Sequence, residues 1–402
     1  MSSISTPPAP PCHRLRPVVD RIPTSLIREV AHAGMGKEGV IPLWFGEPTV
    51  PTPKFICDVA SEALAAGDTF YQANRGMPEL RAALSDYTNN LYRTSIDEGQ
   101  VTVTASGMNA VMLAMQCLID PGDEVVTTAP LWPSLPAVPE ILNGVVRTAP
   151  LVASNQGWQL DLDRLIGACN ERTRVILINS PNNPTGWMMG HDQMRDLLAF
   201  ARRRGVWIIS DEVYARIVFD RAVAPSFLEL ADPEDRLIVV NSFSKTWAMT
   251  GWRLGWIVAP AALGRTLEKL TEFNIAAPPG FVQRAGIEAI YHGKHFVSAT
   301  VEHYRQARDL VTERLHRMPD LCLSAPDAAF YAFFQVDKME SSIAFAGRLL
   351  EMTGIGLAPG AGFGRDYDGY LRLCFAAATP LLETALDRIE DFLQSRRVCQ
   401  QA

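Results

Sequence analysis

The feature that most constrains this chain is a repeated alternation. Short apolar runs at 101–105, 124–128, 174–179, 206–210, 237–241 and 255–259 are separated by stretches of helical periodicity. Runs of this length without polar alternation are strands buried on both faces, and helices between them supply the crossovers of a parallel sheet. The alternation therefore predicts an α/β architecture, a mostly parallel sheet sandwiched by helices. Residues 101–119 carry no charge, yet they contain Thr102, Thr104, Ser106, Gly107, Asn109 and Gln116, with β-branched residues first and Ala, Met and Leu later. A buried strand, a turn and a helix account for this better than a membrane span.

The texture changes near residue 290. A charged helical run at 295–318 leads to strand patterns at 321–324, 330–336 and 370–375, with helices at 342–353 and 380–396, a smaller α+β unit. At the other end, the first ~20 residues read as a loose arm rich in Ser and Pro. A short amphipathic helix at 24–33 and an extended run at 41–53 follow. We divide the chain into an N-terminal arm and small-domain segment at 1–50, a large domain at 51–290 and a small C-terminal domain at 291–402.

Composition narrows the function. Among 402 residues, 37 Lys and Arg face 44 Asp and Glu, a net charge of −7, which argues against a general nucleic-acid binder. Seven scattered cysteines without a C-x-x-C pair suit free thiols in a reducing compartment, and residues 1–17 lack the apolar core of a secretory signal. The expectation is a soluble, cytoplasmic protein with no membrane association.

Ligands of an open parallel sheet bind beyond the carboxyl ends of its strands. There stand Ser106-Gly107-Met108, Trp132, Asn182-Asn183-Pro184-Thr185-Gly186, Asp211-Glu212-Val213-Tyr214 and Ser242-Phe243-Ser244-Lys245. Lys245 is a candidate nucleophile that forms a Schiff base with a carbonyl once desolvation lowers its pKa; the alternative is a surface lysine at a helix start. Ser242 and Arg253 suit a phosphate clamp, with the Gly107-Met108 backbone at a helix N-terminus, although Arg253 alone also reads as a surface ion pair. Asp211 suits a protonated ring nitrogen, Asn183 and Tyr214 a ring oxygen, and Trp132 a stacked ring face. Singly these are equally a helix cap, a turn residue, a core tyrosine and a packed tryptophan; on successive strand ends they form a site. Gly34-Met-Gly-Lys-Glu-Gly39 fits a dinucleotide pattern but follows a helix instead of a strand. Ser242-x-x-Lys245 lacks the K-T-G and S-D-N partners of penicillin-binding enzymes, and His292-x-x-His295 lacks a third ligand, so no metal site is expected.

These residues resemble a known family. Asn179-Ser-Pro-Asn-Asn-Pro-Thr-Gly186, Ser210-Asp-Glu-Val-Tyr214 and Ser242-Phe-Ser-Lys-Thr-Trp-Ala-Met-Thr-Gly-Trp-Arg-Leu-Gly255 are together similar to class I/II aminotransferases of the aspartate and aromatic type. Tyr71-x-x-x-x-Gly76 with Glu79-Leu80-Arg81, Pro359-Gly-x-x-Phe-Gly364 and Leu371-Arg-Leu373 support the likeness. It implies fold type I, with pyridoxal 5′-phosphate (PLP) in the large domain, and a ping-pong transfer of an amino group between an L-amino acid and a 2-oxo acid. It implies that Lys245 holds PLP and shuttles a proton, with Asp211 at the pyridinium, Asn183 and Tyr214 at the ring oxygen, and Trp132 stacked. Ser106, Gly107, Met108, Ser242, Ser244 and Arg253 would bind the phosphate. Tyr71 would reach the phosphate of the neighbouring subunit, hence a homodimer with shared sites. Arg372 would clamp the substrate carboxylate, with Gly46 and Asn183 lining that end. The alternative on the same scaffold is a PLP-dependent lyase or oxidase. The chain departs from the family in Ala328 where a glycine is common, in Met108, and in a 271–275 stretch without the arginine of dicarboxylate-specific relatives; Glu272 there would favour a neutral or basic side chain.

Overall fold

Burial on both faces produces the sheet that the alternation predicts. In a computed structural model, which describes residues 16–154 and 157–401, eight strands form the large sheet. They are β1 (Val101–Thr104), β2 (Glu124–Ala129), β3 (Val145–Ser154), β4 (Gly157–Leu160), β5 (Thr173–Asn179), β6 (Trp207–Asp211), β7 (Leu237–Ser242) and β8 (Gly255–Val258). The expected arm lies outside the described residues as far as residue 15, with Cys12, as does the side chain of Cys399.

The strand order is β1-β8-β7-β6-β5-β2-β3-β4. The five central strands from β7 to β3 pair in parallel, while β8 is antiparallel to both neighbours and β4 antiparallel to β3. Alternate residues serve opposite layers. Along β5, Val175 and Leu177 pack with the helix Gly107–Leu118, and Ile176 and Ile178 pack on the other side with Leu197 and Leu198 of the helix His191–Arg204. The uncharged 101–119 stretch is thus a strand, a turn and a helix. Among the described residues, no helix is long and apolar enough to cross a membrane.

A second sheet contains β9 (Leu321–Leu323), β10 (Tyr331–Val336), β11 (Ala358–Pro359) and β12 (Tyr370–Cys374), in the order β9-β10-β12-β11 and wholly antiparallel. The extended run after residue 41 joins this part of the molecule: Ile41–Pro42 pairs in parallel with Ile355–Gly356, and Leu43 O accepts from Cys374 N at 3.0 Å. The helices Lys54–Ala65, Pro78–Tyr92, Gly264–Ile275 and Gly280–His292, and the strands β3 and β4, were not anticipated. For two of them the signal is weak for a physical reason. Gly280–His292 turns small residues, Ala285, Gly286 and Ala289, to its neighbours, and β3 leaves Val145 and Val152 exposed.

The start of β2 carries a buried charge. Glu124 is fully buried, accepts from Arg147 and from Asn170 Nδ2 at 2.7 Å, and forms an ion pair with Arg172 Nη2 at 2.7 Å. Chiefly the Arg147 hydrogen bond, then the Asn170 bond and the two guanidinium charges, hold its carboxyl at about 2 against the opposing effect of burial. A depressed pKa stabilises the fold fully above the ordinary value of 4.5 and is lost as pH falls towards about 2. Acid titration of the melting temperature should show a decline in that window. Glu124→Gln should melt lower at neutral pH by about 2 °C or more and lose that part of the decline.

Candidate active site

The antiparallel turn from β7 to β8 builds the site. Ser242 pairs with Gly255, so the whole connection between them stays at the carboxyl edge of the parallel strands instead of crossing to the far end. Within it, Ser242 caps the short helix Phe243–Thr246: its Oγ accepts from Ser244 N at 3.1 Å and meets Ser244 Oγ at 2.9 Å. Lys245 therefore projects over the strand ends. Gly255 is required on the return, since a Cβ there would lie 2.7 Å from Gly107 N.

A cleft of about 180 Å³ opens at this edge. It brings together Gly46, Gly107, Met108, Trp132, Asn183, Asp211, Tyr214, Ser242, Ser244, Lys245 and Arg253, all expected from the sequence, and adds Asn179, Val213 and Tyr331. Lys245 Nζ donates to Gly46 O at 2.5 Å and pairs with no carboxylate among the described residues. Desolvation is the largest influence on the amine, with the Arg372 and Arg253 charges acting in the same direction, and its pKa falls to about 8. Asp211 is buried, and among the described residues its carboxyl takes a 3.3 Å hydrogen bond from Val213 N and has no cationic partner in contact. Burial lifts its carboxyl to about 7. The site thus holds a carboxylate waiting for a cation and an amine that is neutral at mildly alkaline pH.

The anion end is equally open. Ser106 has φ 139°, a strained backbone for a residue with a Cβ, and caps the helix Gly107–Leu118 by accepting from Asn109 N at 3.0 Å. The N–H groups of Gly107 and Met108 have no partner among the described residues, and both residues line the cleft. With Ser242, Ser244 and the Arg253 guanidinium they form a donor set suited to a dianion. Ser106 itself does not line the cleft; its hydroxyl is used on its own helix.

Arg372 stands behind the cleft wall on β12, fully buried. It donates to Asn183 Oδ1 at 2.9 Å and to Trp44 O, its guanidinium lies 4.5 Å from the Tyr331 ring and 4.9 Å from Phe363, and its Nε has no partner. No carboxylate of the described residues neutralises it. Tyr71 is elsewhere, 90% exposed beside Phe70, Pro278 and Pro279. Glu272 is exposed on the helix Gly264–Ile275, outside the cleft lining.

Three cleft residues had no role assigned in advance. Asn179 Oδ1 accepts from Asn183 N at 2.9 Å and its Nδ2 donates to Asp211 O at 3.3 Å, so it braces one loop against the other. Val213 meets Gly107 and Tyr331 meets Tyr214. Asn179 and Val213 both lie in the motifs quoted above; what the motifs do not reveal is which way the side chains face. At Ala328, where a glycine is common, the backbone N–H donates to Gly186 O at 3.1 Å, and the positive φ of this turn falls on Ala329 instead.

Comparison with known proteins bears on the same constellation. Residues 38–389 match the family described as aminotransferase class I and II. The chain is 35% identical to an aspartate aminotransferase of Pyrococcus horikoshii over 94% of its own length and 96% of the relative's. It is 31% identical to aromatic-amino-acid aminotransferase 2 of Thermococcus litoralis, covering 94% and 98%. The crystal structure of an aspartate aminotransferase from Thermotoga maritima superposes with a TM-score of 0.88 at 33% identity, covering 94% of this chain and all of that one. The match over residues 38–389, with relatives more than 30% identical along nearly the whole chain and a shared fold, places this chain in the class I and II aminotransferases.

Proposed function

We propose that the chain binds PLP in this cleft through Lys245 and uses it to transfer an amino group between an L-amino acid and a 2-oxo acid in a ping-pong exchange. One observation carries the reading: the Lys245 amine is desolvated, free of any carboxylate partner, and shares its cleft with Asp211, a buried carboxylate that lacks a cation. The residues fit the group. Asp211 would hold the proton of the ring nitrogen, Asn183 and Tyr214 the ring oxygen, and Trp132 a ring face. Arg253, Ser242, Ser244 and the Gly107 and Met108 N–H groups would take the phosphate.

PLP, when bound, supplies an electron sink for the bonds at the substrate Cα. The chain supplies the rest. Nζ of Lys245, with a pKa of about 8, both accepts and returns a proton near neutral pH. A cation beside Asp211 reverses the penalty of burial and keeps its carboxylate charged. Arg372 offers a planar fork to a carboxylate, and Asn183 fixes the orientation of that fork.

The active form would be a cytoplasmic homodimer with shared sites, in which the exposed Tyr71 reaches the phosphate of the neighbouring subunit. Five free cysteines among the described residues support a reducing compartment. Residues 1–50 would supply an N-terminal arm and a segment of the small domain, 291–402 the rest of it and 51–290 the large domain, a division supported by the backbone bonds of Ile41 and Leu43 to Gly354 and Gly356.

Three measurements test this reading. The purified protein should show a visible absorption band that bleaches with an amino donor and returns with a 2-oxo acid; Lys245→Ala should lack the covalent attachment and lose about 10⁴-fold or more in turnover. Ammonia released without an acceptor would point to a lyase or oxidase. Borohydride trapping of a small aldehyde on Lys245, followed by mass spectrometry, should rise as pH passes about 8 and not near the ordinary 10.5. Asp211→Asn should retain PLP yet lower kcat by about a hundredfold or more.

A further inference from the structure

One contact in the cleft has no part in the roles above. Tyr331 Oη lies 2.7 Å from Tyr214 Oη. Tyr331 opens β10 of the small sheet and Tyr214 follows β6 of the large one, so this bond joins the two sheets across the site. Both tyrosines are buried. The Tyr331 ring lies under the Arg372 guanidinium at 4.5 Å. Its hydroxyl presses on Gly46, where a Cβ would come within 1.9 Å of Oη, and the Gly46 carbonyl is the acceptor of Lys245 Nζ. A single side chain thus touches the surroundings of the lysine, the arginine and the tyrosine.

The direction of the hydroxyl bond follows from its surroundings. Among the described residues Tyr331 Oη has no hydrogen-bond partner but Tyr214, and it occupies the space a Cβ at position 46 would need. An undonated hydrogen there would be buried and unpaired, which is costly, so Tyr331 donates and Tyr214 accepts. Tyr214 then keeps its own hydrogen for an acceptor in the cleft, and accepting one bond strengthens the bond it donates.

We propose that Tyr331 is a positioning residue: its hydroxyl turns the Tyr214 hydrogen towards the ring oxygen of the cofactor while its ring supports Arg372, so that one side chain of the small sheet aligns both the cofactor and the substrate carboxylate. The inference rests on the PLP reading above. Burial raises the proton affinity of both hydroxyls, so both remain protonated donors at neutral pH. The titratable and charged groups around the pair are Arg372, Asp211, Cys374 and Lys245, all left in place by a change at Tyr331.

The test is the pH midpoint of the visible band in the full-length, PLP-loaded protein, compared among wild type, Tyr331→Phe, Tyr214→Phe and the double variant. Tyr331→Phe should move the midpoint upward by about half a pH unit, since the ring oxygen loses part of its hydrogen bond. Its KM for a 2-oxo acid should stay within about twofold, because the ring remains under Arg372, whereas Tyr331→Leu should raise that KM about tenfold. The double variant should coincide with Tyr214→Phe. An unchanged midpoint in Tyr331→Phe, or a shift that adds fully to that of Tyr214→Phe, would overturn the relay and leave the PLP reading standing. A Tyr331→Leu protein with wild-type KM would overturn the support of Arg372. A wild-type protein with no visible band would overturn the cofactor reading itself, and the relay with it.

Discussion

The pairing of Ser242 with Gly255 holds the lysine loop at one edge of the sheet, and most of the site depends on it. Had β8 run parallel to β7, the chain between them would have crossed to the opposite end, carrying Arg253 away from Lys245. The reversal keeps twelve consecutive positions, 243–254, over the carboxyl ends of β5, β6 and β7. It also explains Gly255, because only a residue without Cβ lets this strand pass the first N–H groups of the helix Gly107–Leu118. Anion donors and nucleophile are therefore neighbours through one turn of the chain.

Electrostatically, the site is a set of charges left without partners. At Glu124, by contrast, the buried charge is neutralised internally by two arginines. Among the described residues Asp211 has no cationic partner, while Lys245 in the cleft and Arg372 behind its wall rest on carbonyl-type oxygens instead of carboxylates. Keeping such groups buried costs stability unless a ligand completes them. The arrangement fits the proposed cofactor, which would bring a cationic ring, an anion and a reactive carbonyl, together with a substrate that brings an acid group.

Much of the site was legible because strand ends are fixed points. Once β5, β6 and β7 are located, Asn183, Asp211 and Lys245 must stand at one edge, and the quoted motifs name them. Arg372 was legible through likeness alone, since nothing in Leu371-Arg-Leu373 says that an arginine in an apolar strand is buried against Asn183. Ser106 shows the converse: its position next to the cleft was read correctly, but its hydroxyl is spent on capping its own helix. The helix at 280–292 went unread because its buried face is largely alanine and glycine, which leaves little hydrophobic contrast along the chain.

By itself the sequence determined the α/β alternation, the order of the strand-end residues and the chemistry those residues carry, because these follow from periodicity and side-chain type. Tertiary structure alone decided how segments far apart in the chain meet: Gly46 under Lys245, Arg372 against Asn183, and Tyr331 on Tyr214. Those contacts depend on the direction of β8, on the seating of the 41–49 segment beside β12, and on the packing of one sheet against the other. None of these leaves a local signature, since the free energy that selects them lies in burial shared between distant segments rather than in the preference of any one of them.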